Sequence, residues 1–324
     1  MDFLQPYKVS FLDYLQSNKF AKHPENLYEP VDYILSLGGK RIRPLLCLMG
    51  CDAMSKDGYE KALPAAMSVE VFHNFTLLHD DIMDEAPLRR GQATVHKKYD
   101  TNTAILSGDV MMIYAYKYLE NFPPELCQKL LQVFNKMAVE VCEGQQMDMD
   151  FETRERVEIM EYIDMITLKT SVLIGAAIQM GALIGGASAQ SAKHLYQFGK
   201  NIGISFQMQD DILDTFGEPK VGKQPGGDII QNKKTYLYIK TLELCSAAEK
   251  EELLTLYSSR PDDPTDKVAR VREIMKNNHV LIHSGEMQNE YKSLAFSHLD
   301  AAFLENDAKA KFQEFGEFLL SRSV

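Results

Sequence analysis

Asp80-Asp81-Ile82-Met83-Asp84 and Asp210-Asp211-Ile212-Leu213-Asp214 are one acidic pentapeptide written twice, each within a run of helix-favouring residues. In an α-helix the first and fifth residues of such a stretch lie one turn apart on one face, with the second flanking them. Asp80, Asp81 and Asp84 therefore form one carboxylate cluster, and Asp210, Asp211 and Asp214 another. Carboxylates crowded in this way raise one another's pKa unless a cation lies between them. Hard oxygen donors favour Mg²⁺, with Mn²⁺ as a substitute; Mg²⁺ takes one or two carboxylates, keeps several waters and shares a substrate's phosphate oxygens. Two such clusters predict several metal ions and a diphosphate substrate.

Apolar side chains frame both copies: Phe75, Leu77, Leu78, Ile82 and Met83 the first, Ile204, Phe206, Met208, Ile212 and Leu213 the second. A single Asp pair on a helix is ordinarily solvated surface, but duplication in apolar surroundings predicts clusters set in cavity walls. An EF-hand loop is excluded, because it needs alternating ligands, a central Gly and a distal Glu. The formal net charge is −11, yet basic groups gather near these motifs. Gly38-Gly39-Lys40-Arg41-Ile42-Arg43-Pro44 is a glycine-led basic turn, and Arg89-Arg90-Gly91 follows the first cluster. Lys169-Thr170 opens an uncharged stretch, and Gly222-Lys223, Gly227-Asp228 and Lys233-Lys234-Thr235 follow the second cluster. Arg offers phosphate a planar fork and Lys a point charge. Each cation alone reads as surface; their joint spacing predicts phosphate recognition.

In this order the motifs resemble the trans-isoprenyl diphosphate synthases, also called polyprenyl synthetases. The resemblance covers nearly the whole chain. It runs from the basic turn through Glu70-Val71-Phe72-His73, His79 with the first pentapeptide, Arg89-Arg90-Gly91, Gly144-Gln145 and Lys169-Thr170. It continues through Phe206-Gln207-Met208-Gln209 with the second pentapeptide, then the segment from Gly222 to Thr235. It implies an all-α fold, an isoprenoid-synthase-type helical bundle around a deep central cavity, as one domain over residues 1–324, and a homodimer. The implied reaction is condensation of isopentenyl diphosphate with dimethylallyl, geranyl or farnesyl diphosphate, releasing diphosphate.

The resemblance also implies roles. Mg²⁺ held by Asp80, Asp84 and Asp210, supported by Asp81, Asp211 and Asp214, would act as Lewis acid on the diphosphate oxygens. Arg89, Lys169 and Lys233 would place positive charge where negative charge develops. Lys40, Arg43, His73 and Arg90 would bind isopentenyl diphosphate without metal. Thr170 and Gln207 would turn oxygens toward the carbocation, Lys223 would contact the allylic diphosphate, and Asp228 would orient its segment. His79 reads as a packing neighbour of the first cluster. The tail Leu320-Ser321-Arg322-Ser323-Val324 departs from the pattern, having one basic residue where some relatives close the site with a basic tail.

Phe75 lies five residues before Asp80, about 8 Å along a helix at 1.5 Å per residue, and small Thr76 follows it. Within the family, one aromatic at that place without an insertion in the motif goes with the C20 product, and two aromatics or an insertion with C15. The chain resembles the geranylgeranyl type, with farnesyl as the alternative. Phe75 as mere packing is the plainer reading. Rival functions are a terpene cyclase, a head-to-head prenyl synthase and a non-catalytic regulatory subunit. A cyclase has no use for Lys40, Arg43, His73 and Arg90; head-to-head enzymes space their aspartates differently; regulatory subunits usually lose an acidic motif, and this chain keeps both.

At 324 residues and 45% hydrophobic, the chain suits one large domain or two ordinary ones, and the one candidate boundary is Ser258 to Thr265. Helical patterns run over Glu158–Lys169, Ala247–Tyr257, Asp266–Asn277 and Asp307–Ser321, while strand signals are few. Five cysteines without a C-x-x-C pair predict a reduced, cytoplasmic setting and no zinc site. No secretory signal is read at the amino terminus. The uncharged stretch Thr170 to Ala192 is long enough to cross a bilayer, but its glycines and polar residues predict a buried core helix ending near Gly185-Gly186 rather than an integral membrane segment. An acidic chain without a basic stripe argues against nucleic acid.

Overall fold

The computed structural model describes residues 2–217 and 226–320. They are helical almost throughout, as the sequence predicts, with a single two-stranded ladder among the described residues. Close backbone contacts group the chain into two compact units. The first comprises Met1–Lys136, Ala176–Tyr196 and Ala302–Lys309; the second comprises Met137–Gly175, Gln197–Ala301 and Ala310–Val324. The stretch from Ser258 to Thr265 is a loop inside the second unit, not a boundary. Crossings at Lys136, Gly175 and Tyr196 fall inside the helices Pro124–Thr153, Val172–Gly185 and Ala189–Phe216, so no linker composition marks them.

The first unit is built on the helix Leu63–Met83, which packs against Thr101–Leu119 and Ile42–Asp52. Its small residues Ala65, Ala66 and Ser68 are fully buried and allow a close approach; Ser68 donates to the Ala115 carbonyl at 2.7 Å. Phe72 is fully buried against Phe134, with ring centroids 5.3 Å apart. Burial of such a side chain contributes about 1.5–3 kcal/mol. The glycines of the uncharged stretch serve helix contact: a Cβ on Gly181 would lie 1.8 Å from the Cys47 carbonyl oxygen. The helix ends at Gly185, and Gly186 takes a φ of 96°, as its sequence predicts. The helical run Ile159–Gly185 is long and apolar enough to cross a membrane, yet 67% of its most apolar window is buried inside the protein.

In the second unit, a core including Tyr162, Met208, Leu237, Leu253 and Val271 gathers the helices Ile159–Ile166, Tyr236–Leu244, Ala247–Ser258, Thr265–Asn277 and Val280–Asp300. Capping boxes start two of these, with Ser246 paired to Glu249 and Glu158 to Glu161; each satisfies backbone donors that a helix start leaves orphaned. The helix predicted from Glu158 to Lys169 instead passes into a π-helical turn at Thr167–Ser171. Such turns insert an extra residue and re-aim side chains, often at functional sites.

Candidate active site

In the first unit, the acidic pentapeptide forms the carboxyl-terminal end of the Leu63–Met83 helix. Asp84 is exposed, Asp80 half-buried and Asp81 buried. Asp81 accepts both arms of Arg89, Nε and Nη2 each at 2.7 Å. Arg89 reaches it from a small hairpin in which Leu88–Arg89 pairs with Gln92–Ala93. Both turn residues, Arg90 and Gly91, have positive φ, 55° and 77°, as the tightest hairpin turns require. Arg90 is fixed there by donating to the Gly38 carbonyl. A Cβ on Gly39, whose φ is 116°, would lie 2.8 Å from the Arg90 guanidinium carbon.

Beside this hairpin three of the residues predicted to bind isopentenyl diphosphate, Arg43, His73 and Arg90, come together. Arg43 Nη1 lies 3.1 Å from His73 Nε2, and Arg43 Nε is buried with no partner among the described residues. Burial, then Arg43, Arg90, Arg89 and Arg41, hold His73 well below its ordinary pKa, so it is neutral and can accept from Arg43. Burial, against the pull of Glu70, brings Arg43 itself down to about 10. Lys40 is exposed on the glycine turn. Arg41, which the sequence marks only as part of the turn, is buried, left-handed in its backbone, and joined to Glu70 and the Leu35 carbonyl. Half-buried Phe75 packs between Phe72, tilted at 5.6 Å, and His79, edge-to-face at 4.9 Å. Thr76 donates to the His73 carbonyl at 2.8 Å, and His79 packs on the Thr101–Leu119 helix, 3.2 Å from the Ile105 carbonyl.

The second unit repeats the logic with different partners. Asp211 is 6% exposed; it accepts from Tyr162 at 2.5 Å and from Gln207 Nε2 at 3.0 Å. Burial pushes its carboxyl up to about 7 even though both hydrogen bonds favour the anion, and neighbouring Asp210 and Asp214 add to the rise. Asp210 and Asp214 are half-buried. Asp214 Oδ2 accepts from the Asp228 backbone at 2.8 Å, which docks the segment after the motif. Thr170 donates to Gln207 Oε1 at 3.4 Å. Lys169 and Lys233 both bind Asp148 Oδ2, at 2.6 and 3.2 Å. The sequence motifs include neither Asp148 nor Tyr162. Asp148 sits one turn beyond Gly144 on the same helix, the one signal that marked it. Lys223 and the tail residues 321–324 lie outside the described residues.

The donors at the two helix ends are carboxylate oxygens, and among the described residues no three His, Cys, Asp or Glu side chains form a ready-made metal cage. That set fits Mg²⁺, which accepts one or two carboxylates and completes its shell with water and phosphate oxygens.

Residues 24–275 match the polyprenyl synthetase family. The chain belongs to that family. It is 37% identical over 303 residues to the geranylgeranyl pyrophosphate synthase of Geoglobus acetivorans, covering 93% of this chain and 92% of that one. It is 34% identical over 322 residues to the geranylfarnesyl diphosphate synthase of Natronomonas pharaonis, covering 94% and 92%. A crystal structure of a geranylgeranyl pyrophosphate synthase superposes with a TM-score of 0.94 at 44% identity, over 99% of both chains. Polyprenyl synthetases are thus this chain's relatives in sequence and in its all-α fold. The family match together with the geranylgeranyl-named relatives marks it as a short-chain trans-prenyl synthase, and leaves the cyclase and head-to-head readings without support.

Proposed function

We propose that this chain condenses isopentenyl diphosphate with allylic diphosphates to give geranylgeranyl diphosphate, with Mg²⁺ or Mn²⁺. The observation that carries the reading is the Arg43–His73–Arg90 cluster, a cation-rich anion site that uses no carboxylate donors, in a chain with two oxygen-only acidic clusters. Two kinds of phosphate site suit a two-substrate reaction. Asp80, Asp84 and Asp210 would hold metal, with Asp81, Asp211 and Asp214 supporting them. When bound, the metal supplies Lewis-acid neutralisation of the diphosphate oxygens.

Lys169 and Lys233, positioned by Asp148, stabilise the charge that builds as the allylic carbon–oxygen bond breaks and its electron pair leaves with diphosphate. Arg89 does the same at the first cluster. The double bond of isopentenyl diphosphate, held by Lys40, Arg43, His73 and Arg90, attacks the carbocation, while Thr170 and Gln207 offer it oxygen dipoles. Departing diphosphate takes the proton, so no protein base is required.

Relatives named for both C20 and C25 products make chain length the point to test. Phe75 is the floor residue, and incubation with Mg²⁺, isopentenyl diphosphate and C5, C10 or C15 primers reads it directly. The expected product is C20, lengthening in Phe75→Ala. A C15 product indifferent to that substitution removes the floor role, and no condensation by folded protein points to a regulatory subunit. A homodimer is proposed on the exposed apolar side chains of the Thr101–Leu119 helix, Ile105, Leu106 and Ile113 at 41%, 59% and 58%; light scattering checks it.

A further inference from the structure

We propose that the second unit carries a separate cavity for an amphiphilic phosphate, an isoprenoid diphosphate of the kind this enzyme makes, and that its occupancy acts on Lys233. The ligand class rests on the activity proposed above. The cavity, of about 840 Å³, lies between the end of the Pro124–Thr153 helix with its following loop, the turn at Gln231–Lys234, and the helices Tyr236–Leu244 and Ala247–Ser258. Small-molecule sites occupy roughly 300–1,000 Å³.

Its lining sorts into an apolar floor and a basic rim. Val157 and Ile239 are buried in the floor, Leu242 is half-buried beside them, and Leu254 stands 43% exposed. On the rim, Arg154 and Arg156 are neutralised by Glu161 and Glu158. Lys234, Lys250 and Arg260 form no ion pair among the described residues. Of the acids, Glu152, Glu158 and Glu243 are paired with Lys233, Arg156 and Lys240, leaving Glu155. Behind the wall, Lys267 is 4% exposed; its ammonium donates to Asn232 Oδ1 and, at 2.8 Å, to the Ser259 carbonyl. A buried ammonium served by neutral oxygens keeps its field, which favours an anion nearby. Tyr238 and Tyr257 stack on each other at 4.0 Å and are buried, so no aromatic face is open to a nucleotide base. An anionic head at the rim with an aliphatic tail on the floor is the complementary ligand.

Two adjacent lysines couple this cavity to the active site. Lys233 reaches Asp148 at 3.2 Å and Glu152 at 3.7 Å. Lys234 turns the other way, lines the cavity and caps the last helix carbonyls at Phe151 and Glu152. An anion that draws Lys234 off those carbonyls, or repels Glu152, moves the backbone that carries Lys233.

Equilibrium dialysis of radiolabelled geranylgeranyl diphosphate in chelator, with wild type and the double variant Lys250→Glu/Arg260→Glu, tests the site without metal or turnover. Both residues are exposed, and a melting curve checks the fold. The variant is expected to bind roughly ten-fold more weakly, as rim charge reversal removes complementarity. Its initial condensation rate stays that of wild type, while its inhibition by added product weakens. Equal binding by both proteins overturns the proposal. So does competition by inorganic diphosphate alone as strong as by the prenyl diphosphate, or preferential sedimentation with anionic phospholipid vesicles. Binding at the cavity without condensation would sink the proposed activity and leave the site; condensation without this binding does the reverse.

Discussion

Tyr162 and Asp211, 49 residues apart in sequence, share a buried hydrogen bond of 2.5 Å. Arg89 does for Asp81 what Tyr162 and Gln207 do for Asp211. In each pentapeptide the second aspartate is thus turned inward and satisfied, while the first and fifth stand on the more open side. Tyr162→Phe removes one donor from a carboxylate whose pKa burial has already raised to about 7. Leaving such an oxygen unserved costs about 1–3 kcal/mol. The expected result is a lower urea midpoint together with a higher Mg²⁺ concentration for half-maximal rate. An unchanged midpoint and metal dependence would show that Asp211 does not depend on this bond.

Gly39→Ala tests the isopentenyl site through its backbone. The new Cβ meets the Arg90 guanidinium at 2.8 Å, at a φ of 116° that L side chains rarely adopt. Arg90 must move off the Gly38 carbonyl, and the cost of the strained backbone is about 1–3 kcal/mol. Steady-state kinetics should show KM for isopentenyl diphosphate rising several-fold more than KM for the allylic primer. Equal rises would place Arg90 outside the isopentenyl subsite.

Asp148→Asn tests the lysine pair. Burial alone would raise the Asp148 carboxyl, but Lys169 and Lys233 outweigh it and hold the pKa below the ordinary 3.8. A depressed folded value means the unfolded chain binds protons first as pH falls. The stabilisation is therefore complete above the unfolded value and is lost as pH drops through the folded one. At pH 7 the variant should be about 1–3 kcal/mol less stable, since it removes the anion that two partly buried ammonium groups share, although Lys233 keeps Glu152 at 3.7 Å. The difference between the two proteins should shrink below pH 4; a difference independent of pH would rule out the charge as its source.

Periodic and capped elements were legible in the sequence. Ala247–Tyr257 and Asp266–Asn277 are predicted within a residue of the observed helices Ala247–Ser258 and Thr265–Asn277. Asp210 and Lys169 could be singled out because charge stands out against apolar neighbours. What escaped bears at most a faint local mark: Tyr162 looks like any core aromatic, and Asp148, apart from its place one turn beyond Gly144, like a solvated helix acid. Arg41 lies on the turn that precedes one helix and Glu70 within another, and only packing makes them one buried pair. Thr167–Ser171 reads as ordinary helix because nothing in its residue pattern marks a π-turn.

The π-turn lies where the Gly144 backbone approaches most closely. A Cβ there would lie 2.2 Å from the Lys169 backbone nitrogen and 2.7 Å from Lys169 Cα, so neither group can yield by rotating a side chain. Gly144→Ala must separate the two helices, at an overpacking cost of about 1–3 kcal/mol. It should also move Lys169 relative to Asp148, now 2.6 Å away. Misplacing a catalytic group by about 1 Å lowers rate by up to roughly 100-fold, so kcat should fall more than KM rises. A double-mutant cycle with Lys169→Ala separates this from simple destabilisation. If Gly144 acts through Lys169, the glycine substitution should lower kcat little further once the lysine is gone. Full additivity in kcat would mean that Gly144 serves only packing, and that the π-turn does not position the lysine.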